Sequence, residues 1–160
     1  MEWMRYRFDD FGLSCDLFRG APVAVDLDER AGERGYLAQG EGALSLFVSY
    51  GPDATLELWL QRALAGGPRA ARVAEPRAPT LLCGGAAERV VVEVAPTPPA
   101  RGHWPEGTPA PPEYAGTVRL ALVSARHRGT PLVAAFRRPT ADPAGAETEE
   151  HFFASFRCDA

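Results

Sequence analysis

The chain contains no lysine, no isoleucine and no asparagine, so all 17 of its basic residues are arginine. The missing three share AT-rich codons, which points to a GC-rich, bacterial genome. Arginine in such a chain reports codon supply as well as chemistry. Without lysine there is no phosphate loop, which must end in Lys-Ser or Lys-Thr. No stretch reads G-x-S-x-G, so the nucleophile elbow of an α/β-hydrolase is absent. Gly40-Glu41-Gly42 lacks the third glycine of a dinucleotide fingerprint and precedes a strand rather than a helix, so it reads as a turn.

Cysteine is scarce. Cys15, Cys83 and Cys158 stand far apart, and none belongs to the C-x-x-C pair that a zinc site would use. An odd count predicts reduced thiols and a cytoplasmic home. Met1-Glu2-Trp3-Met4-Arg5 lacks the apolar core of a signal peptide. No apolar run approaches the roughly 20 residues of a membrane span, so membrane insertion is not expected. Net charge is −4, the wrong sign for neutralising phosphates, so nucleic acid is not an expected partner. No catalytic residue, metal or cofactor is expected.

What is present fits one domain, 1–160, with 46% apolar residues. Residues 5–19 read as strand, turn, strand, with Asp9-Asp10 at the turn and Phe11, Leu13, Cys15 and Leu17 alternating. Pro22 to Asp26 is a short extended piece, and a charged loop runs from Asp28 to Gly35. Gly42 to Tyr50 alternates Leu44, Leu46 and Val48 on one face. Leu56, Trp59, Leu60, Ala63 and Leu64 then form one apolar stripe at the helical period. This predicts a helix over Ala54–Ala65, capped by Asp53, stopped by Gly66-Gly67-Pro68, with Trp59 mostly buried. Two strands follow around Gly84-Gly85, and a hairpin spans Thr117 to Arg138 about the turn Arg128-Gly129-Thr130. A second helix is predicted over Ala144–Ser155, started by Asp142-Pro143 and anchored by Phe152, Phe153 and Phe156. The fold class expected is α+β: an antiparallel sheet of about six strands packed with at least two helices.

The segment 96–116 reads as a loop insertion. It holds seven prolines together with His103, Trp104 and Tyr114. Binding residues concentrate on loops carried by rigid scaffolds, and Trp and Tyr are common interface anchors. His103, Trp104 and Tyr114 are therefore candidate partner-binding residues. Arg126, Arg137 and Arg138 join them, because a hairpin could gather these guanidiniums into one patch for a carboxylate or phosphate. His127, at the hairpin turn, reads as solvated. His151 lies four residues after Glu147 on one helix face, where a surface ion pair is commoner than a metal site.

The order of elements carries a resemblance. Phe8-Asp-Asp-Phe-Gly-Leu-Ser-Cys-Asp-Leu-Phe18 precedes the strand Ser45-Leu-Phe-Val-Ser49 and the helix Leu56-Glu-Leu-Trp-Leu60. The glycine turn Cys83-Gly-Gly-Ala-Ala-Glu-Arg89 and the ending Phe153-Ala-Ser-Phe156 complete it. Over nearly its whole length the chain resembles the PsbP-like superfamily of PsbP, DcrB and Mog-type proteins. That resemblance implies an α/β/α sandwich and a non-enzymatic subunit, adaptor or binding protein. In length it also resembles the adaptor chaperones of type VI secretion, which shield hydrophobic effector segments. Two function classes stand at this point. One is a protein-binding module whose partner is another protein, with self-association as a homodimer left open. The other is a small-ligand or weakly catalytic site built on the Arg pairs and His103.

Overall fold

In the computed structural model the described residues are 2–9, 11–27, 34–41, 43–64, 71–95 and 116–159. The fold class is α+β, and every strand pairing is antiparallel. A three-stranded sheet is built from β1 (Trp3–Phe8), β2 (Leu13–Phe18) and β10 (Arg157–Cys158), with β2 in the middle. The larger sheet has seven strands in the order β3-β4-β5-β9-β8-β7-β6. These are β3 (Val23–Leu27), β4 (Gly35–Glu41), β5 (Leu44–Tyr50), β6 (Ala71–Leu82), β7 (Gly85–Val94), β8 (Val118–His127) and β9 (Thr130–Pro139). Helix α1 (Leu56–Leu64) links β5 to the far edge at β6, and α2 (Pro143–Ala154) follows β9.

The strands β6 to β9 form a meander held by two tight turns. Cys83-Gly84 has φ of 56° and 73°, and Arg128-Gly129 has 53° and 77°. Two consecutive left-handed residues match the twist of the flanking strands, and glycine enters that region without a Cβ penalty. β6 is an edge strand, which Pro76, Pro79 and two register shifts make a poor template for further pairing.

Alternation along the strands divides the large sheet between two cores. Leu37, Leu46, Val48, Leu132, Ala134, Phe136 and Val123 share one face through the paired registers. They pack against Leu13, Cys15 and Leu17 of β2 and against Phe152 and Phe156. The opposite face carries Val90, Leu122, Val133 and Ala135, covered by Ala54 and Leu56. Two polar groups tie the small sheet to the large one. The Gln39 side chain accepts from Phe18 N–H at 2.7 Å and donates to the carbonyls of Phe18 and Ala21 at 2.7 and 3.0 Å. The His127 ring nitrogen Nε2 donates to the Phe11 carbonyl at 2.7 Å.

Several expectations need correction. His127 is buried, not solvated, because the turn folds back over the β1–β2 connection. Cys83 and Cys158 form a disulfide that joins the β6–β7 turn to β10. An odd cysteine count therefore hid one bonded pair, and the argument from reduced thiols to the cytoplasm loses its premise. Among the described residues no helix is long and apolar enough to cross a membrane. α1 starts at Leu56, and its cap is Thr55, whose hydroxyl accepts from Leu58 N–H at 3.3 Å. Asp53 instead pairs with Arg34. Trp59 is half-buried rather than mostly buried, because it lies on the flank of the helix stripe. The short β4 was missed by pattern, since Gly35 and Gly40 break its alternation.

The remaining thiol, Cys15, is fully buried. Burial pushes its pKa up to about 12 from the ordinary 9.0, with Arg5 pulling slightly down and Asp16 pushing up. The fold thus favours the neutral thiol. That contribution is complete below the ordinary thiol pKa and is lost as pH climbs toward the raised value. Since the thiolate is the reactive form, iodoacetamide at pH 8 should modify no cysteine in the folded protein. In urea without reductant it should modify one. Labelling of the native protein at the denatured rate, read by mass spectrometry, would show that Cys15 is not sealed in the core.

Candidate functional site

Alternation scatters the arginines that the sequence seemed to gather. Arg137 and Arg138 are neighbours on β9 and so project from opposite faces. Arg126 pairs with Pro131 while Arg137 pairs with Leu120, six positions along β8. At about 3.3 Å per residue that separation is roughly 20 Å. The expected basic patch therefore does not form. Arg126 is exposed, and its guanidinium donates to the Gly129 carbonyl at 3.0 Å. It borders a hollow of about 430 Å³ with Glu57 and Glu88. His103, Trp104 and Tyr114 lie outside the described residues.

Arg138 does meet a carboxylate, but an internal one. Glu149 of α2 is buried against strands β7, β8 and β9. Its carboxylate accepts from Arg138 at 3.3 Å, from Arg119 at 3.3 Å and from Arg89 at 3.2 Å. Arg119 also donates to Glu75. Burial lowers the Arg119 pKa, but the hydrogen bonds it donates to Glu149 and Glu75 outweigh it and the net direction is up. Arg138 further donates to the carbonyls of Pro139, Thr140 and Asp142. Gly145 makes room: a Cβ there would lie 2.9 Å from Asp142 Oδ2 and 3.1 Å from Arg138 Cδ. The cluster clamps α2 to the sheet and is structural.

Beside it on α2, His151 meets Asp16 at 2.8 Å and stacks on Trp3 at 4.3 Å between ring centroids. Its partner is across the fold, not Glu147 one turn away.

The stronger candidate site lies on the opposite face, along the flank of α1. Tyr36 of β4, Phe47 of β5 and Trp59 of α1 form an aromatic ridge. Their ring centroids are 6.3–6.5 Å apart, with Tyr36 and Trp59 stacked at an interplanar angle of 23°. Partial burial raises the Tyr36 hydroxyl pKa. The three rings meet because Tyr36 and Phe47 face the same way on paired strands, while Trp59 is one turn beyond the buried Leu56. The ridge borders a groove of about 610 Å³ lined by Arg34, Ser49, Tyr50, Asp53, Ala54 and Arg62, among others. Arg34 and Asp53 are both exposed and 3.7 Å apart. Across the ridge a second hollow of about 480 Å³ runs over Ala24, Ala38 and Phe47.

Sequence reasoning missed this site. It read Trp59 as core and gave Tyr36 no element. Phe47 did carry a signal: it alternates with Leu46 and Val48 and so had to face away from the core that they define.

No family model matches the chain, and no curated protein matches it. Solved structures do. Protein PA94 of unknown function from Pseudomonas aeruginosa matches at 14% identity, over 94% of this chain and 92% of its own, with a TM-score of 0.41. That score is too low to carry an argument. The solution structure of cyanobacterial PsbP (CyanoP) from Synechocystis sp. PCC 6803 matches with a TM-score of 0.55 and 12% identity. The alignment covers 98% of this chain and 92% of that one. At such identity the likeness bears on the fold alone, and the fold of this chain is PsbP-like.

Proposed function

We propose that the chain is a non-enzymatic protein-binding module and that it docks its partner on the Tyr36–Phe47–Trp59 ridge. The observation that carries this reading is the ridge itself. Three aromatic rings stay half-buried at a surface groove, flanked by two guanidiniums. Trp, Tyr and Arg are the residues most enriched among energetic anchors of protein interfaces, and a half-buried aromatic gains further burial on docking. The finer form of the reading is an adaptor or chaperone, whose partner offers a hydrophobic effector segment to the ridge.

Comparative affinity capture tests it. Trp59→Ala should cost about 2 kcal/mol of stability, less than the 3–5 kcal/mol of a fully buried aromatic. The variant stays folded by circular dichroism and loses a protein that the wild type retains. Arg7→Ala, a change on the exposed β1 surface, leaves capture intact. If Trp59→Ala retains the same proteins as the wild type, the ridge is not the docking face.

A further inference from the structure

The charges around the ridge say what kind of segment it takes. The groove contains two cations, Arg34 and Arg62, and one anion, Asp53. The anion is matched to Arg34. Arg62 lies three residues after Trp59, so its guanidinium shares that flank of α1. Among the described residues Arg62 forms no ion pair or hydrogen bond. The Arg34–Asp53 pair is exposed on both sides and so holds its partners only weakly. A carboxylate arriving at the groove therefore finds one guanidinium that no described residue engages and a second that is readily shared.

The shape is elongated. The groove and the second hollow lie on either side of one ridge and together cross β3, β4 and β5. A compact small molecule would fill one side. A peptide segment can set an aromatic side chain against the ridge and still reach Arg62. We infer that the partner presents an acidic peptide segment, with an Asp or Glu adjacent to an aromatic residue, the ring seated on Trp59 and Tyr36 and the carboxylate on Arg62. This rests on the protein-binding reading and refines its partner chemistry: the segment keeps an apolar ring for the ridge but carries a carboxylate beside it, rather than being hydrophobic throughout. Electrostatic complementarity of this kind sets specificity and association rate, and salt weakens it.

The test is selection from a random peptide library displayed on phage, panned in parallel on the wild type, on Arg62→Glu and on Trp59→Leu. Arg62 is exposed, so its reversal leaves the fold intact even if the tryptophan variant is unstable. Wild type should enrich peptides with Asp or Glu beside an aromatic residue. The synthetic form of the best of these should bind Arg62→Glu roughly ten-fold more weakly by calorimetry, and its wild-type affinity should fall as salt rises. Peptides that need Trp59 but are basic or neutral, and bind Arg62→Glu equally well, would overturn the acidic assignment and leave the docking face standing. If no enriched peptide distinguishes Trp59→Leu or Arg62→Glu from the wild type, the docking face falls as well.

Discussion

Replacing Glu149 with alanine should destabilise the protein by about 3–5 kcal/mol, the cost of leaving buried charge uncompensated. Among the described residues the carboxylate is the one acceptor that Arg89, Arg119 and Arg138 share. Side-chain exposure is 7% for Glu149, 9% for Arg138 and 15% for Arg119, so water cannot take its place. Arg119 keeps Glu75, and Arg138 keeps three backbone carbonyls, which limits the loss. Arg89, 35% exposed, turns partly to solvent. The native pair is not itself a large source of stability, because desolvation offsets most of its attraction. Removing both partners should therefore hurt less than removing one. Glu149→Leu combined with Arg138→Met should recover part of the loss seen with Glu149→Leu alone. Urea midpoints at constant slope would measure this. A loss below about 1 kcal/mol for Glu149→Ala would mean that water enters the cluster and that the clamp is weak.

The second large effect is covalent. Reducing Cys83–Cys158, or replacing both cysteines with alanine, should remove about 4 kcal/mol. The bond closes a sequence separation of 75, and on the chain-entropy account most of its effect lies in restricting the unfolded chain. For a protein of this size the melting temperature should fall by roughly 10 °C. A reductant should lower the wild-type midpoint toward that of the double variant and leave the double variant unchanged. Equal midpoints with and without reductant would show that the bond contributes nothing. The local reason for a large effect is that β10 is two residues long. Its backbone pairing is too short to hold the C-terminal segment against β2 unaided. The disulfide anchors it where it covers the core near Leu13 and Leu82.

Much of the skeleton was legible from period and punctuation. The stripe Leu56-Trp59-Leu60 is helical, Asp142-Pro143 starts a helix, and both two-residue hairpin turns fall where glycine was read as a turn. Such features depend on neighbours in sequence, so the sequence reports them. The β4 strand was not legible because two glycines interrupt it. The candidate site was mostly hidden. Pattern can say that Phe47 faces away from Leu46, but not that Tyr36 and Trp59 will flank it, since those three rings come from three elements.

The sequence by itself determined the α+β class, the alternation that divides each strand between two faces, and the chemistry available: arginine as the only strong cation, and few cysteines. Tertiary structure decided which of these residues meet. It sent Arg137 and Arg138 to opposite faces, gave Arg138 its carboxylate from a helix eleven residues on, and buried His127 under a loop from the other end of the chain. It joined Cys83 to Cys158 and left Arg62 beside an aromatic ridge. The physical reason is range. Local backbone preferences act over a few residues, whereas pairing of charges, thiols and rings is fixed by burial between elements distant in sequence.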